Sequence, residues 1–399
     1  MADTLLTPTV IAKESLRILT NNLVAGSLVH REYKNEFVKV GNTLTIRKPV
    51  KFAASDGATR VNQDVTENST SIVVNKRKHV SWDFSSSDLT LTIEKYSERY
   101  IQPAMEVLAD QVDVDLLAEA VNVHNAVGTP GTTPNAYSIL GDAAAKLDNE
   151  AAPSMNRSTV FNPAANWATA DALKGLLNPS MNQDFVRKGS LGRIANSEVY
   201  STQNVSRITT GARGGTPLVN GGSQTGSSLV TDGWSNSITG VVKAGDIITL
   251  GSTPANTVYA VNPVNKQSTG QARQFVVTAD ANSNGSGQAT ISISPAITTS
   301  TAYQTVNASP ADNLPIALMG SASTAYPANL MFHRDAFALV MCPLELPKGA
   351  AFKARASAHG VSVRIINDYD VDDDLDIIRL DILYGTKTLY PELACRIFG

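Results

Sequence analysis

The sequence predicts an α+β chain that carries an inserted all-β domain. Three observations predict it. Strong helical spacing of apolar residues occurs early, over residues 7–24 and 88–124. Strands of period two lie between those helices and again after residue 329. Between residues 214 and 328 the composition changes sharply to Gly, Ser, Thr and Asn, with few charges.

The chain has 399 residues, enough for two or three domains. Its apolar fraction of 42% supplies a core, while its charged fraction of 17% suits a protein that buries much of its surface against neighbours. A net charge of −3 lacks the basic excess by which dedicated nucleic-acid binders displace counterions from phosphates. The two cysteines, Cys342 and Cys395, have no paired spacing, so neither a disulfide framework nor a zinc site is expected, and both thiols should be reduced. The first residues lack the basic and apolar regions of a secretory signal, and no stretch approaches the ~20 apolar residues of a membrane span.

In residues 7–24, Thr7 can cap and Pro8 can open a helix whose apolar face includes Val10, Ile11, Leu16, Leu19 and Leu23. That face is wide and needs a partner, either the body of its own chain or another subunit. Residues 43–49 alternate and end at Pro49; residues 71–75 and 80–85 are further strand candidates. The polar stretch 53–69 between the first two reads as the tip of a long hairpin. Such a hairpin has too little apolar surface to stabilise itself and would gain stability by lying on something else.

Residues 88–124 hold the strongest helical stripe, from Ile93 and Tyr96 through Ile101, Met105, Leu108, Val112 and Leu116 to Ala120, with Asp110, Asp113 and Glu119 off it. Pro103 must kink or split this helix. Unbroken from 93 to 123, it would run about 45 Å. Short helices are expected at 142–149 and 170–177. Between them a strand runs into Asn162-Pro163, where Asn162 caps and Pro163 starts a helix. Within 214–328 the strand-like runs are 238–242, 247–250, 258–261, 275–278 and 289–294, with a hairpin loop at 282–287; this reads as a small barrel or sandwich. Strands at 336–341, 361–366 and 377–384 return to the mixed pattern.

No catalytic constellation accompanies these elements. The five histidines form no metal-ligand spacing, and neither a G-x-S-x-G elbow nor a phosphate-binding P-loop occurs. Trp82, Trp167 and Trp234 are well separated and read as core anchors. The acidic run Asp368, Asp370, Asp372, Asp373, Asp374 and Asp376 fails as a calcium loop. Counting from Asp368, the sixth residue is Asp373 where Gly is needed, and the twelfth is Arg379 where Glu is needed. It remains either a solvated loop or a contact with basic residues of another subunit. The basic residues Arg47, Lys48, Lys51 and Arg60, with the cluster 76–78, either block unwanted strand pairing or meet acidic groups on a neighbour.

The order of elements, together with particular stretches, resembles the P22-like coat proteins of tailed phages. Those stretches are Gly41 to Pro49, His79 to Phe84, Phe161-Asn162-Pro163, Leu191 to Ile194, Lys243 to Ile247, and Leu383-Tyr384-Gly385 with Tyr390-Pro391-Glu392. The resemblance implies the HK97-like capsid fold over the whole chain. It implies an N-terminal arm (1–34), an extended loop reaching over an adjacent subunit (35–85), a peripheral domain with a spine helix (86–149), an axial domain (150–213 and 329–399) and an inserted β-barrel domain (214–328). It further implies a major capsid protein, not an enzyme, with no cofactor, that assembles with itself into hexamers and pentamers. A scaffolding protein and a portal protein would be its partners, with room for a decoration protein. The shell would form in the host bacterial cytoplasm and enclose double-stranded DNA without reading its sequence. Arg47, Lys48, Lys51 and Arg60 on one side, and Asp368, Asp370, Asp372 and Asp374 on the other, are then the candidate subunit-interface residues. Two other readings stand beside this one: a shell for cargo like the encapsulins, which share the fold, and a β-rich adhesin or binding protein.

Overall fold

A computed structural model describes residues 8–32, 43–52, 54, 57–58, 60, 62, 67–85, 97–173, 191–251, 253, 256–350, 352–358, 360–371, 373 and 375–399. The chain divides into two compact units. One comprises residues 1–47, 69–117 and 337–389, and the other residues 48–68, 118–336 and 390–399.

The first unit is built around a long antiparallel sheet. Its strands run in the order Phe337–Met341, Leu375–Thr388, Val361–Asp370, Phe352–Ala358. The strand Lys76–Ser85 lies along the first part of Leu375–Thr388, from Tyr384↔Lys76 to Leu375↔Ser85. The helix Pro8–Asn22 packs on the strands Phe352–Ala358 and Val361–Asp370 and on the helix Gln102–Leu117. Of its expected face, Leu16, Leu19 and, just past its end, Leu23 are buried together with Ala12, while Ile11 is half-buried and Val10 is exposed. The partner its sequence demanded is therefore the body of its own chain, and each buried leucine contributes roughly 1.5–3 kcal/mol.

Pro103 is the second residue of the regular helix Gln102–Leu117, so the α-helical part of the expected stretch begins at the proline and does not run unbroken through it. A π-helical stretch, Ser97–Ile101, precedes it, and a 3₁₀ stretch, Ala118–Asn122, follows. The expected stripe is buried at Ile101, Met105, Leu108, Val112, Leu116 and Ala120, while Ile93 and Tyr96 lie outside the described residues.

The hairpin is shorter in strand than the sequence suggested. Thr43–Arg47 pairs with Ser69–Val73 alone, in the register Thr43↔Val73 to Arg47↔Ser69. The third expected strand belongs to the long sheet instead. At Gly385 a side chain is impossible without movement, because any Cβ would overlap the Val73 carbonyl oxygen and crowd the Val74 backbone. Gly385→Ala is therefore expected to cost about 1–3 kcal/mol, as overpacking of a filled site does. A urea unfolding curve with its midpoint unchanged would exclude that account.

The second unit contains a mixed sheet in the order Asn125–Val127, Ala394–Ile397, Asn329–His333, Arg157–Phe161, Ser197–Ser201, Arg193–Ile194. Asn162 ends one of these strands and caps the helix Pro163–Leu173, its Oδ1 accepting from the Ala165 N–H at 2.9 Å. The other expected short helix runs from Tyr137 to Asn149, beginning earlier than its apolar spacing showed. Residues 174–177, expected to end the second helix, lie outside the described residues.

The inserted β region is a closed barrel. Its strands run Ile316–Leu318, Ile247–Leu250, Gln274–Val277, Ala289–Ile297, Gly226–Trp234, Gly215–Val219. The Leu218↔Pro315 bridge and reciprocal bonds between Val219 and residues 313–314 join the last strand to the first. This contact covers part of the edge that each end strand would otherwise present. Its core includes Leu229, Trp234, Ile248, Phe275, Ile291 and Val306. Residues 238–242, expected as a strand, form none. Their apolar side chains do enter the core, but their backbone bonds go to loop positions such as Ala212, Arg213 and Ser283. The loop 282–287 turns on Asn284, whose Oδ1 accepts from the N–H groups of Ser286 and Gln288, both at 2.9 Å.

Candidate assembly surfaces

The six described interface candidates occupy two kinds of position. Arg47 ends its strand opposite Ser69, and alternation with Thr43 and Thr45 turns it outward. Lys48 and Lys51 lie close to each other within the second unit. The Lys48 ammonium sits 5.0 Å from the centre of the Tyr390 ring, and burial lowers its pKa. The Lys51 backbone N–H donates to the Tyr303 hydroxyl at 3.3 Å, leaving its side chain exposed. Arg60 is exposed and donates through Nε to Asn62 Oδ1 at 2.8 Å.

Of the acidic run, Asp368 and Asp370 end the strand Val361–Asp370, in the register Asp368↔Ile377 and Asp370↔Leu375 and beyond the buried part of that strand, while Asp376 is half-buried on the facing strand. Asp368 is exposed, as are Tyr369 and Val371 beside it. Asp372 and Asp374 lie outside the described residues. Among the described residues, no group of three or more His, Cys, Asp or Glu is placed to hold a metal ion. Among the described residues, no helix is long and apolar enough to cross a membrane.

Charged groups that the sequence did not single out hold each unit together. In the first unit Asp381 is fully buried in the long central strand. It accepts from Arg364 Nη2 at 2.5 Å and Arg379 Nε at 2.9 Å, with Arg77 Nη2 at 3.3 Å. Burial opposes its ionisation, but the guanidinium bonds outweigh burial and hold its carboxyl below the usual carboxylate range. The basic cluster that opens Lys76–Ser85 thus has an internal role as well. Arg77 serves Asp381, and Lys76 reaches Asp115 at 3.6 Å and Thr386 at 3.1 Å.

Asp113, expected on the solvent side of its helix, is buried instead. Its carboxylate accepts the backbone N–H groups of Val24, Ala25 and Gly26 at 2.8, 3.2 and 2.8 Å, closing the N-terminal end of the short helix Ala25–Leu28. A stripe analysis cannot find this residue, because its partners lie nearly ninety positions away in sequence. The tryptophan expectation also divides. Trp234 is buried, with Nε1 donating to Thr231 at 2.8 Å, whereas Trp167 is 63% exposed. Helix Pro163–Leu173 buries Ala165, Asn166, Thr169 and Ala170 and turns the neighbouring Trp167 away.

In the second unit, barrel and mixed sheet are joined by polar contacts. Gln274 exchanges two hydrogen bonds with the backbone of Ala126, both at 2.9 Å, as a strand neighbour would. The buried Arg396 donates to the carbonyls of Gly245 at 2.7 Å and Val121 at 3.0 Å. Arg273 pairs with Glu150 and approaches His124 Nε2 at 3.1 Å. Burial, and then the Arg273 charge, lowers the His124 pKa well below its ordinary value and keeps the ring neutral. Cys342 and Cys395 are both free and buried.

A family model described as P22 coat protein, gene protein 5, matches residues 2–399. No curated protein matches the sequence. Among solved structures, the chain is similar to one from Mycobacterium phage Che8, with 13% identity, coverage of 94% of this chain and 90% of that one, and a TM-score of 0.48. It is similar to the capsid of cyanophage P-SCSP1u at 10% identity, covering 90% and 84%, with a TM-score of 0.44. A virus-like particle from Pyrococcus furiosus is similar at 9% identity, covering 97% of each chain, with a TM-score of 0.38.

Proposed function

The chain belongs to the P22 coat protein family, and on that premise we propose how its surfaces build a shell. It is a phage major capsid protein, a structural subunit and not an enzyme, and copies of it form the shell of the virion. Its α+β fold is of the HK97-like capsid type. The family match over residues 2–399 carries this reading and leaves the cargo-compartment alternative less supported.

The finer account is our own. Hexamers and pentamers close the shell under the guidance of a scaffolding protein and a portal, in the host bacterial cytoplasm, with room for a decoration protein. Residues 1–34 act as the arm, 35–85 as the loop that overlaps a neighbour, 86–149 as the peripheral domain, 150–213 with 329–399 as the axial domain, and 214–328 as the inserted barrel. DNA is enclosed without sequence-specific contacts, which suits a chain of net charge −3.

Arg47, Lys48, Lys51 and Arg60 of one copy meet the acidic tip around Asp368, Asp370, Asp372 and Asp374 of another. The exposure of Asp368, Lys51 and Arg60 supports this pairing. Each exposed pair contributes only about 0.2–1 kcal/mol, but the contact repeats throughout a shell. Asp368→Lys with Asp370→Lys is expected to raise the subunit concentration needed for assembly several-fold at low salt. Arg47→Glu with Arg60→Glu should restore part of the loss. In roughly 1 M salt, where screening acts over about 3 Å, variant and wild type should assemble alike. An unchanged threshold at low salt would remove these residues from the interface. The broader reading is tested by expressing the chain with its scaffolding partner and imaging the products by negative-stain electron microscopy. Closed shells of uniform size are expected; small oligomers alone would overturn it.

A further inference from the structure

The second unit holds a cleft of about 590 Å³, within the range of specific binding pockets. Its apolar walls come from Val261, Pro263, Pro295 and Leu393. On its floor the Arg273–Glu150 ion pair lies beside His124. Arg273 Nε and His124 Nδ1 are buried there without hydrogen-bond partners among the described residues.

The segment 48–52 reaches the mouth of this cleft. It is placed by Lys48 against Tyr390 and by the Lys51 N–H on the Tyr303 hydroxyl. Its one large apolar group stops short: Phe52 lines the cleft yet stays 63% exposed, facing a rim where Val264 is 71% exposed. The chemistry of segment and cleft corresponds. A phenyl ring suits the apolar walls. The Lys48 ammonium suits the Tyr390 ring, and both lysines suit a lining that includes Glu150, Asp335 and Glu392. The hairpin that carries the segment has too little apolar surface to stand alone. In an assembly of identical chains, every contact made within one copy can be made between two, so exchanging the segment sacrifices none of them.

We propose that this cleft is the acceptor for segment 48–52 of a second copy, which in the shell takes the place the chain's own segment occupies when the subunit is free. The proposal rests on the reading of residues 35–85 as a loop that overlaps a neighbour, adds where that loop lands, and narrows the charged contact: Lys48 and Lys51 go to the cleft, leaving Arg47 and Arg60 for the acidic tip.

Cross-linking tests it directly, since the native cysteines are buried. The double variant Phe52→Cys/Val264→Cys, treated with a short bis-maleimide, should cross-link within single free subunits. Shells co-assembled from Phe52→Cys subunits and Val264→Cys subunits should give a covalent dimer that joins residue 52 of one to residue 264 of the other. The same mixture left unassembled should not. Lys51→Cys replaces Phe52→Cys if the latter fails to assemble. A benzophenone amino acid placed at position 52 separates the two ways of failing. Photo-cross-links in shells that reach another copy outside the cleft overturn the acceptor and leave the overlapping loop standing. Photo-cross-links confined to the same chain overturn both.

Discussion

A subunit lacking residues 53–67 is expected to fold and remain soluble, yet to form no closed shells. The cut follows from the register. Arg47 pairs with Ser69, and the Lys48 N–H donates to the Asn68 carbonyl at 2.7 Å. Removing 53–67 keeps both contacts and leaves residues 49–52 as the connection, a loop length that antiparallel hairpins accept. Deleting the whole polar stretch 53–69 would instead take Ser69 out of the ladder. The deleted stretch is polar, so its loss should change the stability of the free subunit little. In the shell its absence removes a contact that every copy makes. Sedimentation and negative-stain microscopy of the variant with its scaffolding partner decide the matter. Shells of normal size and yield would show that the loop is dispensable.

Asp381→Asn is expected to destabilise the first unit by about 3–5 kcal/mol, the cost of removing one member of a buried charge cluster. Asp381 is fully buried, and Arg364, also buried, would be left without its carboxylate. The pH dependence distinguishes this from a mere packing defect. Because the folded state holds the Asp381 carboxyl below the usual range, its contribution is present in full above the unfolded value of about 3.9 and is lost as pH falls through the folded value. The stability gap between wild type and Asp381→Asn should therefore be constant from neutral pH down to the normal carboxylate range and close only below it. Urea unfolding at several pH values measures this. A gap that persists undiminished in strong acid would mean that the ion cluster is not its source.

The proposed interface residues could be named from the sequence because a charge pattern is visible there before any partner is known. An alternating strand that ends in Arg47-Lys48, and a run of aspartates before another strand, can be read without knowing what packs where. Asp381 and Asp113 were not legible. One acid in an apolar strand and one acid on a helix look like solvent-facing residues until their partners are known. Apart from Arg379 on the same strand, those partners come from other strands and from the backbone of the N-terminal segment. Trp167 shows the opposite error: its size suggested a core anchor, and the small residues beside it are what the helix buries.

By itself, the sequence determined the α+β class, the helix at Pro8–Asn22, the stripe of Gln102–Leu117, the cap at Asn162 and the all-β character of the insert. These depend on local periodicity and on side chains within a few residues of one another. Only the tertiary structure decided that Lys76–Ser85 leaves the hairpin for the long sheet, that residues 238–242 feed a barrel core without forming a strand, and that the barrel closes. Strand partners, closure and buried ion clusters depend on segments brought together from distant parts of the chain, and local periodicity carries no record of which segments those are.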